Sequence, residues 1–420
     1  MGDRSIRAVP PPIRQSDVDA CPGALRLHAA ADGPLARVRL PGGMLTGSQL
    51  TVLGELAGRW GDGCLELTSR ANVQLRALRS ADPAGLASRL AEAGLLPSAA
   101  HEVVRNIAAP PLAGARLRAL VHDLDRALCA DAALAALPGR FLFAIGDVPQ
   151  AADVAAVPAG DAFTILFAGA DQGVRVPAAG VVPALLAAAH AFRAEQAAHD
   201  PPAWRLRELP DGPARVAARV LAAVSDTSAA HLATTPGGGR PAAGARGEER
   251  ALVGLLAQED SPAAAVGALV PLGRLTRVHL GVLGRADRLV ITSWRGVVVP
   301  DLAPEAAERW LRELSEAGLE TAAGSRWSGV TACAGRPGCA KALADVRADA
   351  DAATRFVDGL PVHWLGCARG CGSPAGAHVR VEATPDGYVV SRVPGDGEGE
   401  RPGGERLAGV VASVRSGSGV

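Results

Sequence analysis

Four of the seven cysteines lie close together near the C-terminal end of the chain and could hold a metal cluster. They form a C-x5-C pair and a C-x3-C pair, and three of the four have a glycine beside them. Four thiolates satisfy a cubane iron–sulfur cluster with one ligand per iron, and nearby backbone N–H groups tune its potential. The four residues are Cys333, Cys339, Cys367 and Cys371. A structural zinc ion, which usually has tighter ligand spacing, and a set of buried thiols without metal remain alternatives.

A second group of polar residues lies in the segment 68–76, where polar and apolar side chains alternate. This period of two predicts a strand that carries its polar groups on one face. Guanidinium groups bind carboxylates in bidentate fashion and stay charged, so this face suits a large ligand with several carboxylates. The polar residues are Arg70, Asn72, Gln74 and Arg76. A solvated sheet face is the alternative.

Two further segments place arginines beside turn-forming residues. Arg105 and Asn106 precede a stretch rich in proline and glycine, and Arg140 enters an apolar strand after a Leu-Pro-Gly turn. We include all three in the candidate binding site, although each could also be an ordinary surface or structural residue.

The nine histidines and the carboxylates show no spacing typical of a metal site, so we predict neither ligands for a single ion nor a catalytic acid or base.

Two similar halves of the chain must position these groups. Residues 67–78 read LTSRANVQLRAL and, 224 residues later, residues 291–302 read ITSWRGVVVPDL. In the same register AEAGLL at 91–96 matches SEAGLE at 315–320. A repeat at fixed spacing predicts a duplicated fold, here with a pseudo-twofold axis. The loop that contains Arg105 would then lie symmetrically to the first cysteine loop, so a ligand held by one would face the cluster held by the other.

Apolar spacing predicts strands and helices in the order of an α+β protein. The predicted strands are 36–40, 64–67, 141–145 and 162–168, and the predicted helices are 46–59, 83–93 and 179–197.

The composition excludes several classes of protein. The 420 residues include 43 basic and 43 acidic side chains, a balance that excludes a basic nucleic-acid arm and an acidic tail. No signal peptide is visible at the start, and the most apolar stretch, 174–192, is interrupted by Arg175, Pro177 and Pro183. We therefore expect a soluble cytoplasmic protein with no nucleic-acid and no membrane partner. In a reducing compartment, clustered cysteines indicate metal or redox chemistry.

Four motifs, taken in order, resemble those of the sulfite and nitrite reductase superfamily. LTSRANVQLR resembles its T-x-R-x-N-x-Q strand, VVRNIAAPPLAG its R-N-x-x-x-x-P loop, LPGRF its L-P-x-K-F strand, and the cysteine pairs its C-x5-C and C-x3-C motifs. The similarity covers roughly residues 20–390. It implies an α+β, pseudo-twofold architecture with two ferredoxin-like half-domains and two larger α+β domains around a tetrapyrrole and a 4Fe–4S cluster.

The resemblance and the composition together divide the chain into seven segments. These are a flexible N-terminus at 1–20, half-domain 1 at 21–80, an α+β domain at 81–224, a linker at 225–250, half-domain 2 at 251–309, a cluster-binding α+β domain at 310–392 and a flexible tail at 393–420. The three flexible segments are predicted from their polar, Gly-rich or Pro-rich composition.

The resemblance also implies roles for the candidate residues. The four clustered cysteines would hold the 4Fe–4S cluster, and Cys371 matches the cysteine that bridges cluster and sirohaem in the reductases. The arginines, amides and Asn106 named above would line the tetrapyrrole site. The chain departs from the reductases where their lysine pair, which holds the anion over the haem, becomes Arg140 and Leu142. Loss of the cation at Leu142 removes electrostatic stabilisation that sulfite reduction requires.

These departures make the chain most similar to the cobalamin-pathway branch of the superfamily, in which the tetrapyrrole is the substrate. That branch implies a monooxygenase that hydroxylates precorrin-3A at C20 with O2 and closes a γ-lactone. It would use the 4Fe–4S cluster, a mononuclear non-haem iron and an external electron donor, either a reduced pyridine nucleotide or a ferredoxin system. A sirohaem-dependent sulfite or nitrite reductase is the alternative, and a non-catalytic tetrapyrrole-binding or electron-carrier protein is a third class.

Overall fold

The computed structural model of the chain describes residues 21–148, 150–225, 252–258, 261–374, 376–395 and 399–417. The predicted N-terminal segment 1–20 lies outside these residues, as does the predicted linker 225–250 except for its first residue, Ser225. None of the helices in the described ranges is long and apolar enough to cross a membrane.

The first half of the chain contributes nine strands and five helices to the described structure. The strands are β1 (Ala36–Val38), β2 (Met44–Leu45), β3 (Leu65–Leu67), β4 (Val73–Leu75), β5 (Ile107–Ala108), β6 (Phe143–Ile145), β7 (Val154–Ala159), β8 (Ala162–Phe167) and β9 (Ala170–Pro177). The helices are α1 (Gly47–Trp60), α2 (Pro83–Glu92), α3 (Ala115–Ala130), α4 (Ala178–Ala197) and α5 (Gly212–Ser225), with 3-10 turns at Pro41–Gly43, Ala132–Ala136 and Leu206–Glu208.

The second half follows a similar order over its described residues. The strands are β10 (Gly254–Ala257), β11 (Ala264–Leu269), β12 (Arg274–Leu275), β13 (Leu289–Ile291), β14 (Gly296–Leu302), β15 (Val330–Ala332), β16 (Val362–Leu365), β17 (His378–Thr384) and β18 (Gly387–Val393). The helices are α6 (Arg277–Leu283), α7 (Pro304–Glu316), α8 (Gly335–Gly338), α9 (Val346–Ala353) and α10 (Leu407–Ser416), with 3-10 turns at Pro271–Gly273 and Gly404–Arg406.

The predicted duplication is confirmed by the backbone of two equivalent turns. After β3 the N–H of Thr68 donates to the carbonyl of Asn72 at 2.9 Å, and after β13 the N–H of Thr292 donates to the carbonyl of Gly296 at 3.0 Å. Both turns hold a non-glycine residue at positive φ, namely Ala71 at 56° and Arg295 at 64°. The register of 224 residues seen in the sequence therefore aligns equivalent turns of the fold.

Each half-domain completes the sheet of the other. The first sheet has the order β1-β4-β3-β12 and the second the order β10-β11-β14-β13-β2. The two-residue strand β12 pairs antiparallel with β3, and the two-residue strand β2 pairs antiparallel with β13. One continuous apolar core lies beneath both sheets and includes Leu50 of α1 and Leu283 of α6. The half-domains are thus joined by exchanged strands as well as by a common core.

The start of α1 fixes how the two half-domains approach each other. Thr46 and Gln49 form a capping box, which satisfies backbone groups of the first helical turn. The N–H of Gly47 donates to the carbonyl of Ala286 at 2.9 Å. A Cβ at Gly47 would lie 2.4 Å from that carbonyl oxygen, so glycine permits this close approach.

The two larger domains repeat a second arrangement. Their sheets have the orders β5-β6-β7-β8-β9 and β15-β16-β17-β18. In each sheet the first three strands are parallel and the next strand is antiparallel. The cysteine loops follow β15 and β16, which are parallel neighbours. Their carboxyl ends therefore lie at the same edge of the sheet, where the two loops meet.

The structure corrects one gap in the predicted strand order. β7 lies between the strands predicted at 141–145 and 162–168, and it pairs with both β6 and β8. Its sequence, VAAVPA, consists of small apolar residues with a proline and shows no alternation, so the pattern did not predict a strand. The other predicted helices and strands coincide with observed elements to within two residues at most ends.

The predicted domain boundaries at residues 80 and 309 lie too early. α2 buries Leu86 and Leu90 in the core of the half-domains, and α7 buries Leu314 in the same core. Residue 309 lies inside α7. Each half-domain therefore keeps the helix that follows its last strand, because that helix covers one face of the sheet.

The predicted flexible tail at 393–420 also needs correction. Its described part contains α10, which packs on β17 and β18 and buries Val411 and Arg415. Arg415 donates to the carbonyls of Leu360 and Ser328, both at 2.8 Å. The abundance of glycine and serine around this short apolar helix obscured it in the sequence.

Candidate functional site

The four predicted cluster cysteines lie on the two loops that follow β15 and β16. The N–H of Cys333 donates to the carbonyl of Trp364 at 2.9 Å, which ties the first loop to the second. The N–H of Gly366 donates to the sulfur of Cys333 at 3.2 Å. All four thiols are free, three are partly buried and Cys371 is exposed. The loops thus present accessible sulfur atoms together with a backbone donor.

Cys371 lies within electrostatic reach of the other three thiols. Burial raises the pKa of the Cys371 thiol, Arg369 opposes this, and Cys333, Cys367 and Cys339 raise the pKa further. A cubane cluster would relieve this repulsion, because each thiolate would bind a different iron atom. The donor set and its backbone N–H group fit a 4Fe–4S cluster.

Within the ranges that the structure describes, no three His, Cys, Asp or Glu side chains lie close enough together to bind a metal ion. The described ranges therefore show no ligand group for the mononuclear iron that the resemblance implies, and we assign no step to such an ion.

A buried histidine holds the second cysteine loop in place. His363 is 0% exposed, its Nε2 donates to the carbonyl of Cys371 at 3.0 Å, and its Nδ1 lies 2.7 Å from the hydroxyl of Thr331. Burial lowers the pKa of His363 to about 4, and Arg295 adds to the effect. The imidazole is therefore neutral near pH 7, and its hydrogen bonds fix the position of the second cysteine loop.

The first half-domain sheet turns a polar face towards these loops. We call this surface, formed by Arg37, Arg39, Glu66, Gln74 and Arg76, the polar face. Arg37 and Glu66 lie opposite Gln74 on its two neighbouring strands. The Nε and Nη2 of Arg37 lie 3.1 and 2.6 Å from the amide oxygen of Gln74. The apolar residues that alternate with them pack into the shared core.

The predicted strand 68–76 is correct only in its second part. β4 begins at Val73, and the preceding residues form a turn. The hydroxyl of Thr68 accepts the N–H groups of Arg70 at 3.3 Å and Asn72 at 3.0 Å. Ala71 has a φ of 56° in this turn. Arg70 therefore lies in a turn closed by the Thr68 hydroxyl and does not extend the row of polar side chains that Gln74 begins on β4.

One end of the polar face is fastened to the first cysteine loop. Arg76 donates two hydrogen bonds to Asp32, both at 3.0 Å, and a third to the carbonyl of Gly338 at 2.9 Å. Arg347 lies 2.6 Å from Glu66 and donates to the carbonyl of Cys333 at 3.3 Å. Arg76 therefore connects the sheet to the cluster loop and is not free to grip a ligand carboxylate.

Arg39 lies at the other end of the polar face and brings three segments together. It is 2% exposed, and it donates to Asn106 Oδ1 at 3.1 Å and to the carbonyl of Pro22 at 2.9 Å. Asn106 donates to the carbonyl of Gly139 at 3.0 Å, and Arg70 lies 3.5 Å from the same carbonyl. The Nη2 of Arg39 has no hydrogen-bond partner in the described part of the chain.

The positive charges of Arg39 and Arg70, at this end of the polar face, are not fully offset by nearby negative charge. Burial lowers the pKa of Arg39 to about 9, with repulsion from Arg37 and Arg70 adding to it. Burial also lowers the pKa of Arg70 to about 10, and Arg205 contributes repulsion. Both groups stay protonated near pH 7, and a buried cation is costly unless an anion pairs with it. The arrangement therefore suits a ligand with carboxylates, as the peripheral groups of a tetrapyrrole are.

The remaining predicted residues serve the protein interior or its surface. Arg105 makes a two-pronged ion pair with Asp125, both contacts being 2.7 Å, and is buried. Arg140 is exposed and stacks on Trp204, with 4.6 Å from its guanidinium carbon to the ring centroid. The side-chain oxygen of Asn72 accepts the N–H of Leu40 at 2.9 Å. All three side chains thus have partners within the protein, and their roles in ligand binding remain predictions.

Sequence reasoning missed two arginines of the site. Arg37 and Arg39 alternate with Ala36 and Val38 along β1, in the stretch ARVRL. The sequence contained the signal, since the alternation matches the pattern used for residues 68–76. The stretch was interpreted only as an apolar strand, so its cations were not assigned to the site.

The other half carries a counterpart of this site with different chemistry. In the 224-residue register Trp294 stands where Arg70 does, and Ala109 stands where Cys333 does. Trp294 and Ala109 line a cavity of about 220 Å³ together with apolar residues such as Ile291 and Leu112. Thiol and guanidinium groups are absent from the lining residues of that cavity. Only one of the two equivalent positions thus combines cations with facing cysteines.

Comparison with known proteins gives a consistent family relationship. A family model described as the nitrite/sulfite reductase ferredoxin-like half domain matches residues 28–93. A precorrin-3B synthase from Sinorhizobium sp is 28% identical over 397 residues, covering 88% of this chain and 81% of that protein. A ferredoxin–nitrite reductase from Synechococcus elongatus is 27% identical over 407 residues, covering 86% of this chain and 78% of that protein.

A solved structure agrees in fold. The NirA protein of Mycobacterium tuberculosis matches with a TM-score of 0.66 at 18% identity, and the match covers 90% of this chain and 79% of that chain. At this identity the likeness concerns the fold alone. The matched half-domain model ends at residue 93, just after α2, in agreement with the core packing of that helix.

Proposed function

The chain belongs to the sulfite and nitrite reductase superfamily of oxidoreductases, and within it we propose that the protein is a precorrin-3B synthase. The reaction would convert precorrin-3A and O2 into a product hydroxylated at C20, with a ring A acetate closed into a γ-lactone. One oxygen atom would enter the product and the other would leave as water, with two electrons from an external donor. The tetrapyrrole is then a substrate that must bind and leave.

The observation that carries this proposal is the environment of Leu142. The resemblance assigns this position to a lysine that holds the anion in the reductases. Here Leu142 is 3% exposed and packs against Ala108, Ala144 and Ala155. No cation enters the site at this position, and Arg140 lies outside on Trp204. Without a cation at Leu142 the site lacks the charge that the resemblance assigns to holding the small anion, which favours chemistry on the tetrapyrrole itself.

The chain's own residues would bind and orient the substrate. We assign Arg37, Arg39 and Arg70 to the peripheral carboxylates, because they lie on or beside the polar face and because burial and repulsion between cations lower the pKa of Arg39 and of Arg70. Bidentate guanidinium contacts fix both the position and the rotation of a planar ligand. Gln74 would hold Arg37 in place through its amide oxygen. Such an arrangement presents one edge of the macrocycle to the cysteine loops.

The four cysteines would hold the group that supplies electrons. A 4Fe–4S cluster bound by Cys333, Cys339, Cys367 and Cys371 would supply them one at a time. Arg76 and Arg347 hold the first cysteine loop against the polar face through Gly338 and Cys333. The distance between ligand site and cluster site is therefore set by direct hydrogen bonds.

Anaerobic purification followed by an absorption spectrum and iron and acid-labile sulfide analysis tests this proposal first. We expect a broad cluster band, about four irons and four sulfides per chain for the cubane cluster, and no stoichiometric sirohaem. The protein should then consume O2 in the presence of precorrin-3A and a reductant. A protein that carries the cluster and binds precorrin-3A without O2 consumption would refute the monooxygenase assignment.

A sirohaem-dependent nitrite or sulfite reductase is the second candidate. It is favoured by the nearly equal similarity of the Synechococcus elongatus ferredoxin–nitrite reductase, at 27% identity against 28% for the precorrin-3B synthase. A tightly bound sirohaem with its Soret band, together with reduction of nitrite or sulfite, would establish this alternative. The polar face would then hold the carboxylates of a resident cofactor in place of a substrate.

A further inference from the structure

A cavity of about 910 Å³ lies between the segment 25–26, the loop before β5, the turn at 137–139 and the C-terminal end of α4. Apolar residues such as Ala99, Val103 and Pro138 form part of its walls, and polar side chains form the rest. Ligand sites have volumes of about 300–1,000 Å³ and combine apolar walls with a few polar groups that orient the ligand. The cavity therefore has the size and the composition of a site for a large ligand.

Two large apolar side chains line this cavity. Leu25 is 42% exposed, and its N–H donates to Glu102 at 2.8 Å, which fixes the backbone that carries it. The ring of Trp204 forms another part of the wall, and the guanidinium carbon of Arg140 lies 4.6 Å from its centroid. Aromatic side chains bury a large area and pair favourably with other rings. These groups therefore suit a ligand with a planar ring system.

Three arginines at or beside the cavity have no carboxylate partner among the residues that the structure describes, namely Arg26, Arg140 and Arg193. Arg193 is held by Gln196, whose Oε1 accepts from its Nη1 at 2.9 Å. Gln196 is only 8% exposed and donates to the carbonyl of Ala203 at 2.6 Å, so this guanidinium group has a fixed position. A guanidinium group stays charged and binds a carboxylate through two parallel hydrogen bonds.

Two carboxylates also line the cavity, those of Glu102 and Asp200. Glu102 already accepts the N–H groups of Ala24, Leu25 and Arg26, at 2.6, 2.8 and 3.2 Å. Three guanidinium groups against two carboxylates leave a net positive charge. The cavity therefore favours a ligand that carries several carboxylates of its own.

The cavity adjoins the end of the polar face that carries Arg39 and Arg70. Gly139 lines the cavity, and its carbonyl accepts Asn106 Nδ2 at 3.0 Å and lies 3.5 Å from Arg70 Nη1. Asn106 Oδ1 in turn accepts from Arg39 Nε at 3.1 Å. The same turn therefore borders both the cavity and the cations of the polar face.

We propose that this cavity is an outer binding site for a macrocycle with several carboxylates, where a tetrapyrrole is held on its way between solvent and the polar face. Its carboxylates would pair with Arg26, Arg140 and Arg193, and its ring system would pack on Leu25 and Trp204. No covalent bond forms or breaks in this step. The inference rests on the proposed function in one respect, because only a tetrapyrrole that is a substrate must enter and leave in every turnover.

Coproporphyrin, a metal-free porphyrin with four carboxylates, is the probe for the outer site. Equilibrium dialysis against the full-length, cluster-loaded protein without oxygen should give about two porphyrins per chain, one on the polar face and one in the cavity. Arg193→Ala should weaken the outer site about tenfold, through loss of a charge-assisted contact, and leave the inner site unchanged. Arg89→Ala is the matched control, because Arg89 lies on α2 outside the cavity lining.

A second variant fills the space without a change in charge. Ala136 is an exposed alanine in the cavity wall, so Ala136→Trp should obstruct the outer site while the fold stays intact. Circular dichroism and the cluster spectrum verify the fold of both variants. A sirohaem-free wild type that binds one porphyrin per chain would overturn the proposal, as would two sites of unchanged affinity in both Arg193→Ala and Ala136→Trp.

Stopped-flow mixing tests the passage itself. Arg193→Ala should slow binding to the polar face and release from it by the same factor, because the arginine would be lost from the path in both directions and from neither end state. The equilibrium affinity of the inner site should therefore stay unchanged. Inner-site rates equal to those of Arg89→Ala would show that the ligand reaches the polar face by another route, which contradicts the proposal.

These measurements keep the outer site and the proposed function apart, since none of them uses O2, precorrin-3A or a reductant. If a resident sirohaem occupied the polar face, one coproporphyrin should bind per chain, with an affinity that depends on Arg193 and is unchanged in Arg70→Ala. The proposed function would then fail while the outer site stands. If the cavity were not a site, one porphyrin should bind with the opposite dependence.

Discussion

Arg39 and Arg70 differ from ordinary surface arginines in that Arg39 is buried and Arg70 partly buried, and burial lowers the pKa of both guanidinium groups. Desolvation and mutual repulsion raise the free energy of the ligand-free site, and an incoming carboxylate lowers it. Part of the binding free energy thus comes from relieving this unfavourable electrostatic free energy of the ligand-free site. A flexible surface arginine would instead have to lose side-chain freedom on binding.

Replacing Arg70 by Ala should weaken tetrapyrrole binding about tenfold or more. The loss corresponds to one charge-assisted hydrogen bond of about 1.5–3 kcal/mol. Fluorescence quenching of a porphyrin with peripheral carboxylates measures the affinity, and the visible spectrum should show an unchanged cluster. Arg89→Ala is the matched control, since Arg89 is an exposed arginine paired with Glu55 and Glu92. Equal affinity in the Arg70 variant and this control would contradict the assignment.

At the residue scale, local patterns predicted side-chain chemistry better than side-chain partners. The cysteine pairs were identified from spacing alone, because each pair lies within one loop. Arg105 was assigned to the ligand, although its partner Asp125 lies 20 residues away on α3. That pairing depends on how the helix packs against the loop, which no local spacing encodes. The same limit explains why Arg76, paired with Asp32 and Gly338, looked like a ligand residue.

At the scale of elements, the helices predicted at 46–59, 83–93 and 179–197 were located to within one residue because their caps and apolar spacing are local, whereas α3 and α5 were not predicted. α1 begins at the capping box of Thr46 and Gln49, both visible in the sequence. The two-residue strands β2 and β12 could not be predicted, since each exists only through pairing with the distant strands β13 and β3. Neighbouring β4 was predicted too long, because the hydroxyl of Thr68 competes with the sheet for backbone N–H groups.

The N-terminus of α6 should make stability depend on pH. His279 Nδ1 accepts the N–H of Thr276 at 3.1 Å, and burial lowers the pKa of His279 below its usual 6.5. The unfolded chain therefore binds a proton that the folded chain resists. The free energy of unfolding should fall as the pH drops below about 6.5.

His279→Gln isolates this contribution, because Gln49 accepts the N–H of Thr46 at 3.0 Å at the equivalent position of α1. Urea denaturation at pH 7.5 and 5.5 should show a smaller loss of stability in the variant than in the wild type. At pH 7.5 the two proteins should differ little, since glutamine preserves the cap. An identical loss in both proteins would show that His279 does not contribute.

The contact between polar face and cysteine loop is another element-scale feature that can be tested. Arg76→Ala leaves Asp32, whose side chain is only 15% exposed, without the cation that lies 3.0 Å away. Glu66 loses a second cation at 3.6 Å but keeps Arg347 at 2.6 Å. We expect a loss of about 3 kcal/mol in the free energy of unfolding. The cluster should also be lost faster to an iron chelator, because Gly338 loses its donor.

Arg79→Ala serves as the control for Arg76, as exposed Arg79 contacts only the backbone carbonyl of Asp32, at 2.8 Å, among the hydrogen bonds described. Its stability and its rate of cluster loss should remain close to those of the wild type. A cluster equally stable in the Arg76 variant would mean that the loop keeps its position without the arginine.

At the scale of the whole molecule, the duplication was predicted from eighteen aligned positions, eight of them identical, yet its most important consequence is visible only in three dimensions. The sequence register aligned equivalent turns, and the fold shows that the halves exchange strands and share a core. Neither half buries its apolar surface alone. Folding should therefore be a single cooperative event for the two half-domains.

A chain cut within residues 226–250 tests this cooperativity. When the two pieces are produced together, they should copurify as a 1:1 complex with the circular dichroism spectrum of the intact protein. Each piece produced alone should aggregate or remain poorly folded, because one strand of its sheet and part of its core are missing. Two independently folded, monomeric pieces on gel filtration would contradict a shared core.

The exchange of β2 and β12 also suggests how this protein could have acquired its asymmetry. In an ancestor with one half per chain, the same exchange would have occurred between two polypeptides, giving an intertwined homodimer with two identical sites. Fusion into one chain lets each copy lose what the other retains. One copy keeps the guanidinium groups and the other keeps the thiolates, while Trp294 and Ala109 occupy the abandoned counterparts. Under the proposed function, such a fusion would turn a symmetric dimer into an asymmetric chain with one substrate position and one cluster position.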